Sequence, residues 1–318
     1  MTDGPVVVLA GGTGGAKLAR GMLDAVGPER LVVVANTGDD IRIHGAHVSP
    51  DSDLVTFWLA DRIDARGWGL EGDTFAVMDG LRELGVDVWF NLGDRDLAIG
   101  LERARALDEG ERQTVAQERI AAALGVTARV LPMSDLPVRT RVLAGDRWWP
   151  LQEFMIVRRG EGPVLDVDFR HARAAAPTAE VLEAIAGASV IVIGPSNPFI
   201  SIGPILALPG MRAALLDAGA PVVAVSPLVR GRAIKGPTEA FMRWAGRPLS
   251  SDGVCACYDG LIDGLVADEP ATVVPTLEID VRLGDPDARR RVAELTLRFA
   301  LGLAAERTAG ACTSLQRP

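Results

Sequence analysis

Residues 5–15 read PVVVLAGGTGG, and this stretch decides the fold. Pro5–Ala10 is a short β-branched run without polar alternation, the pattern of a strand buried on both faces of a parallel sheet. It stops at Gly11-Gly-Thr-Gly-Gly15, after which the pattern is helical to about Val26. A glycine-rich turn that opens a helix lets backbone amides approach an anion, and the helix dipole favours negative charge there. The turn matches neither common phosphate-loop pattern. Lys17 stands between Ala16 and Leu18 rather than in a GK[ST] ending, and a GxGxxG begun at Gly12 meets Lys17 where its last glycine belongs. A plain βα turn needs one or two glycines; four in five residues favour a phosphate site.

Working outward, Leu31–Ala35, Ser189–Ile193 and Pro221–Val225 repeat the strand signal, and Leu265–Val274 holds two short pieces. Helical patterns fall between them at Thr178–Ala186, Met211–Ala218 and Pro237–Ala245. Asp285–Ala305 closes the pattern as a long helix with Asp285 as N-cap and Pro286 at its first position. Strand alternating with helix implies right-handed crossovers and an α/β fold with a doubly wound, mostly parallel sheet. The middle differs: Leu54–Ala65, Asp73–Leu84 and Arg95–Leu124 read as mostly helical, and Pro137–Arg158 as a hairpin turning at 144–147. The expectation is a single domain over 1–318, with an α/β core at about 1–54 and 176–318 and a largely helical cap inserted at about 55–175.

The chain has 318 residues, 42 acidic against 33 basic, and a net charge of −9. That balance excludes a sequence-independent nucleic-acid binder, which needs a basic stripe to displace counterions. An apolar share of 48% with 24% charged residues fits a compact domain rather than disorder. No run approaches the roughly 20 apolar residues of a membrane span, and Met1-Thr-Asp-Gly-Pro5 lacks signal-peptide character, so a cytoplasmic protein with no membrane partner is expected. Cys255, Cys257 and Cys312 make no CxxC pair, which excludes a disulfide framework and a four-cysteine zinc site.

Four polar clusters follow strand-like runs. Asn36-Thr-Gly-Asp-Asp40 and Ser49-Pro-Asp-Ser-Asp53 bring four carboxylates to one edge of the sheet, where open α/β sheets bind ligands. A hard cation such as Mg²⁺ takes one or two such carboxylates together with phosphate oxygens and water; the plainer alternative is a solvated loop with Asp53 capping a helix. His44 and His47 lack zincin spacing, and His171 is isolated and structural. Asn91-Leu-Gly-Asp-Arg-Asp96 is either a helix cap with a solvated Arg95–Asp96 pair or a substrate-facing loop. Gly194-Pro-Ser-Asn-Pro198 is a rigid loop offering amide and hydroxyl groups, and Arg230, Arg232 and Lys235 after the next strand could face a polyphosphate.

The series of segments resembles the 2-phospho-L-lactate transferase family of deazaflavin coenzyme F420 biosynthesis, from Val6 to about Asp268. The resemblance rests on Gly11–Gly14, Asn36–Asp40, Pro50–Asp53, Trp68-Gly69, Gly72–Phe75, Leu92–Asp96, Leu131–Asp135, Gly194–Pro198 and Ser201–Pro204, in that order and spacing. It implies a Rossmann-like transferase whose reactants are a guanosine diphosphate-linked phospho-acid donor (phospholactate, phosphoenolpyruvate or phosphoglycerate) and the ribityl hydroxyl of 7,8-didemethyl-8-hydroxy-5-deazariboflavin, with GMP released. It further implies Mg²⁺ on Asp39 and Asp51, with Asp51 and Asp53 catalytic; Asp53 is the candidate to accept the hydroxyl proton, whereas a metal-activated alkoxide would need no such base. Asp53, Asn91, Asp94 and Arg95 would contact the deazaflavin. Gly11, Gly12, Thr13, Gly14, Gly194, Pro195, Ser196, Asn197 and Lys235 would hold the nucleotide, in a homodimer. Lys235 departs from the small residue usual before Gly-Pro, and Ser49 from the usual cysteine. An NAD(P)-dependent oxidoreductase is disfavoured by the broken fingerprint and by Ala35-Asn36-Thr37 where an acidic ribose ligand belongs. A non-catalytic nucleotide-binding regulatory protein of the wider related family is the other alternative, disfavoured by the Asp51/Asp53 pair and the Leu92–Asp96 cluster.

Overall fold

A computed structural model describes residues 4–314 except position 235, with no side-chain account beyond residue 307. Seven strands form the central sheet: β1 (Val6–Ala10), β2 (Leu31–Ala35), β3 (Arg129–Pro132), β4 (Val190–Ile193), β5 (Val222–Val225), β6 (Gly264–Ala267) and β7 (Thr276–Glu278). Their order is β3-β2-β1-β4-β5-β6-β7 and every neighbouring pair is parallel. The chain winds outward from β1 to β3, then returns beside β1 and winds the other way. Val8 pairs with Val33 on one side and with Val192 on the other. A doubly wound sheet opens its ligand crevice where the order reverses, beyond the C-terminal ends of β1 and β4.

The apolar strands need cover on both faces, and two core clusters provide it. Val6, Val8 and Ala10 point into one, with Val33 and Val192, against α1 (Gly12–Val26), α2 (Pro50–Leu59) and the last helix, Pro286–Ser314. Val7 and Leu9 point into the other, with Val34 and Ile191, against the helices at Ala179–Ala186, Met211–Asp217 and Ser251–Cys257. The last helix begins as expected: the Asp285 carboxylate accepts from the Ala288 amide, with Pro286 at the first position. Among the described residues no helix is long and apolar enough to cross a membrane.

The segment 55–175 is not all cap. Arg129–Pro132 runs beside β2 as an edge strand of the central sheet, a short pairing that the surrounding helical pattern masks. Arg139–Ala144 and Arg147–Pro150 form the expected hairpin, which Val164–Arg170 extends to a three-stranded antiparallel sheet. Helix α2 starts at Pro50, four residues before the expected start, and ends at Leu59, short of Asp61, whose φ is 53°. The helical stretch expected at 95–124 holds two helices, α4 (Asp94–Asp108) and α5 (Gln113–Ala123), separated at Gly110, whose φ is 88°. The helix expected at 73–84 is α3 (Ala76–Glu83). The second piece expected within Leu265–Val274 lies later, at β7: Pro270 and Pro275 break the run, and Val273 is exposed in the intervening loop.

Candidate active site

A cavity of about 1030 Å³ opens at the reversal point. It is larger than the roughly 300–1,000 Å³ of ordinary small-molecule sites. One part is lined by the loops after β1 and β4, including Gly11–Gly14, Pro195, Ser196, Asn197 and Ser201. The need for glycine comes chiefly from close packing of these two loops. A Cβ on Gly14 would lie 2.0 Å from the Pro195 carbonyl oxygen, so any side chain there must displace backbone. Gly12 instead adopts φ 63°, and a Cβ there would meet only Ser201 Oγ, at an ordinary contact distance of 3.8 Å. Its amide, the first of α1, donates to Asp51 Oδ1, so this helix end already faces a carboxylate. The Asn197 side chain closes its own loop, accepting from the Phe199 and Ile200 amides at 2.9 and 3.2 Å. The Ser196 hydroxyl is buried without a hydrogen-bond partner, so it is the group in this loop with bonding capacity left for a ligand. Gly14→Ala is expected to destabilise the fold by about 1–3 kcal/mol through overpacking. Thermal denaturation checks it; an unchanged midpoint would mean that the loops separate freely.

Four buried carboxylates stand beside these loops and divide into distinct environments. Asp40 is turned into the protein, accepting from Ser49 Oγ at 2.7 Å and Gln113 Nε2 at 2.7 Å, with His47 Nε2 at 3.1 Å. His47 thereby has a structural place, as does His44, whose Nε2 meets the Phe90 carbonyl at 3.2 Å. Asp39 and Asp51 line the cavity. Asn36 Nδ2 donates to Asp51 Oδ2 at 2.9 Å, and Gln152 Nε2 to Asp39 Oδ2 at 3.1 Å. Burial, with Asp51 and Asp40 nearby, pushes the Asp39 carboxyl well above the usual carboxylate range. Burial likewise pushes Asp51 up to about 6, against bonds from Asn36 and Gly12 that pull it down. Asp53 is no helix cap: it lies inside the first turn of α2, and both its oxygens accept from the Arg103 guanidinium, one bond being 3.0 Å. Both oxygens of Asp53 are thus already engaged by Arg103.

One stretch of the remaining wall is aromatic, built by Trp68, Phe75, Trp89 and Phe90 with Leu70 and Leu92. Trp89 and Phe90 meet edge to face at 5.5 Å. Two sequence clusters prove to be one capping unit here. Asp73 accepts from the Arg95 and Asp96 amides that open α4, at 2.9 and 3.1 Å. Asp94 accepts from Thr74 Oγ1 at 2.6 Å and from the Ala76 and Val77 amides at 3.0 Å, at the start of α3. Asp94 therefore holds structure, and neither it nor Arg95 lines the cavity. Asn91 does line it, with Oδ1 accepting from Arg82 at 2.6 Å. Asp96 is not half of a solvated ion pair: it lines the cavity, and burial, with Asp53 beside it, pushes its carboxyl up to about 7.

Arg230 and Arg232 are exposed on a two-stranded hairpin whose flanking residues Pro227 and Ile234 line the cavity, but neither arginine does, and Lys235 lies outside the described residues. Sequence reasoning missed Arg103, Gln152 and the cavity-facing role of Asp96. Asp96 and Arg103 are seven apart on one helix, hence on one face, a signal the sequence does carry. Gln152 had none, since it arrives on a short helix after the hairpin.

Fold and cavity together define a doubly wound α/β protein with a small-molecule cleft at its strand ends. The family model described as "2-phospho-L-lactate transferase CofD" matches residues 6–283, and the chain belongs to this family. It is 39% identical to 2-phospho-L-lactate transferase of Methanosarcina mazei over 265 residues, 83% of this chain and 87% of the relative. It is also 39% identical to phosphoenolpyruvate transferase of Kitasatospora aureofaciens, over 83% of this chain and 84% of that one. The corresponding Streptomyces griseus protein is 36% identical over 93% of this chain and 98% of its own length. A crystal structure of a UPF0052 family member from Bacillus halodurans shares the fold, with a TM-score of 0.55 and 20% identity over 86% of this chain and 83% of that one.

Proposed function

We propose that the protein transfers a phospho-acid moiety from a guanosine diphosphate-linked donor to the ribityl hydroxyl of 7,8-didemethyl-8-hydroxy-5-deazariboflavin, releasing GMP, in coenzyme F420 biosynthesis. The observation that carries this reading is the single cavity that joins the glycine loops, the Asp39/Asp51 carboxylates and an aromatic wall. In that reading the donor's diphosphate lies against the Gly11–Gly14 and Gly194–Asn197 loops, with the Ser196 hydroxyl as one donor to it. The deazaflavin ring lies on the aromatic wall near Asn91. The acceptor oxygen bonds to the phosphorus that carries the acid, the bridging P–O bond breaks, and its electron pair leaves with GMP.

Asp39 and Asp51 fit a hard divalent cation such as Mg²⁺. Both carboxylates are buried, Asp51 adds to the cost of ionising Asp39, and the donors that reach them, Asn36, Gln152 and the Gly12 amide, are neutral. Among the described residues no group of three or more His, Cys, Asp or Glu side chains could hold a metal, so phosphate oxygens and water would complete the shell. When bound, Mg²⁺ supplies neutralisation of the diphosphate and of the charge that develops on the leaving group.

The test is a mass-spectrometric assay of purified protein with Mg²⁺, the deazaflavin and guanosine diphospho-lactate, -enolpyruvate and -glycerate in competition. One phosphodiester together with GMP is expected, and its mass names the acid. Guanine nucleotide binding without product from any donor would overturn the reading in favour of a regulatory nucleotide-binding protein.

A further inference from the structure

We propose that Asp96 is the residue that takes the proton from the attacking hydroxyl, with Asp53 beside it locked on Arg103. This rests on the transfer reaction proposed above. The O–H bond of the acceptor breaks, its proton goes to the Asp96 carboxylate, and the oxygen pair so freed forms the new bond to phosphorus.

Five carboxylates line the cavity: Asp39, Asp51, Asp53, Asp73 and Asp96. Asp39 and Asp51 accept from Gln152, Asn36 and the Gly12 amide. Asp53 is held on both oxygens by Arg103 and accepts from the Ser49 amide at 3.3 Å. Asp73 receives the amides of Thr74, Arg95 and Asp96. Among the described residues Asp96 is the member of this set whose carboxyl oxygens accept no hydrogen bond, which leaves them open to a ligand hydroxyl. It stands in the first turn of α4, three residues after Gly93 of the cavity wall, on the side assigned to the acceptor ring.

The charged groups around it are Asp53 on α2, Arg103 two turns along its own helix, and Asp73 from the segment before α3. The carboxylates and burial raise its proton affinity while Arg103 opposes them, leaving it near 7. A base acts best when its pKa lies close to the working pH. Arg103 thus has two effects: it engages Asp53, and it keeps Asp96 from rising further.

Asp96→Asn preserves shape and removes only the base. It is expected to lower kcat by about 10²–10⁴-fold, with deazaflavin affinity, read by fluorescence titration, within about twofold of wild type. In the wild type kcat should rise with pH through about 7, because the base must be deprotonated, and the variant should lose that limb. Asp96→Glu should recover part of the rate. A wild type that forms product beside an Asp96→Asn variant of equal rate, or one that keeps the limb, overturns the role of Asp96 alone. A wild type that forms no phosphodiester with any donor overturns the transfer reading, and the role of Asp96 falls with it.

Discussion

Asp51→Asn should give a protein that is more stable without metal at pH 8 and at least about 100-fold slower in transfer. The exchange keeps the shape and the oxygen that accepts from the Gly12 amide, so the start of α1 is preserved. What it removes is a buried negative charge close to Asp39 and Asp40, together with the one bond that Asn36 Nδ2 donates to Oδ2, a smaller loss than the cost of the ionised group at pH 8. The sign follows from the direction of the shift. A carboxyl raised to about 6 in the fold stabilises only while protonated: its contribution is present below the ordinary value near 4 and is lost as pH rises through about 6. Above that window the wild type bears the cost of an ionised buried group and the Asn variant does not. Thermal midpoints should therefore coincide near pH 4 and separate by pH 8, with the variant higher. Mg²⁺ should reverse that order by binding the native wild type, since a ligand stabilises the state that holds it. Equal Mg²⁺-induced shifts in both proteins would remove Asp51 from the metal site.

The fold was legible because its deciding residues act locally. Continuous β-branched runs at Val6–Ala10, Leu31–Ala35 and Val190–Ile193 can lie only between two covering layers, and the helical stretches between them supply those layers. The edge strand Arg129–Pro132 escaped notice because its identity depends on a partner, β2, almost a hundred residues earlier. The site divides in the same way. Glycine loops and acidic clusters announce themselves by composition, so Gly11–Gly14, Asp39, Asp51 and Ser196 could be singled out and all line the cavity. The reasons for them were less legible. Gly14 is glycine because the Pro195 carbonyl occupies the space, a contact between loops 181 residues apart. Asp94 reads as a substrate contact in sequence and is a helix cap in space, because its partners at Thr74, Ala76 and Val77 come from a different segment. Pattern reveals which residues are unusual; whether an unusual residue serves ligand or scaffold is decided by what tertiary packing brings to it.

Arg103→Met should cost about 3–5 kcal/mol, the usual penalty for breaking a buried ion pair on one side. Such a loss is a large share of the roughly 5–15 kcal/mol that holds a domain folded. Arg103 is fully buried, at 0% exposure, and its guanidinium bridges three elements: Asp53 on α2, the His47 carbonyl at 3.0 Å and Gln117 Oε1 on α5 at 3.2 Å. Met fills much of the volume but leaves the Asp53 carboxylate buried without its counter-charge, and the His47 carbonyl without that donor. Asp53→Asn alone should also destabilise, since a guanidinium cannot shed its proton and would be the stranded charge. The double variant Arg103→Met with Asp53→Asn should lie closer to wild type than the sum of the two, because no unpaired charge remains in it. Urea unfolding of the four proteins measures that coupling directly. Additive losses would mean that Arg103 acts through packing and its bonds to His47 and Gln117, and that Asp53 does not depend on it. A strong coupling would fix Asp53 as half of a structural pair at the cavity wall, and any rate lost on changing Asp53 would then have to be judged against the arginine it leaves behind.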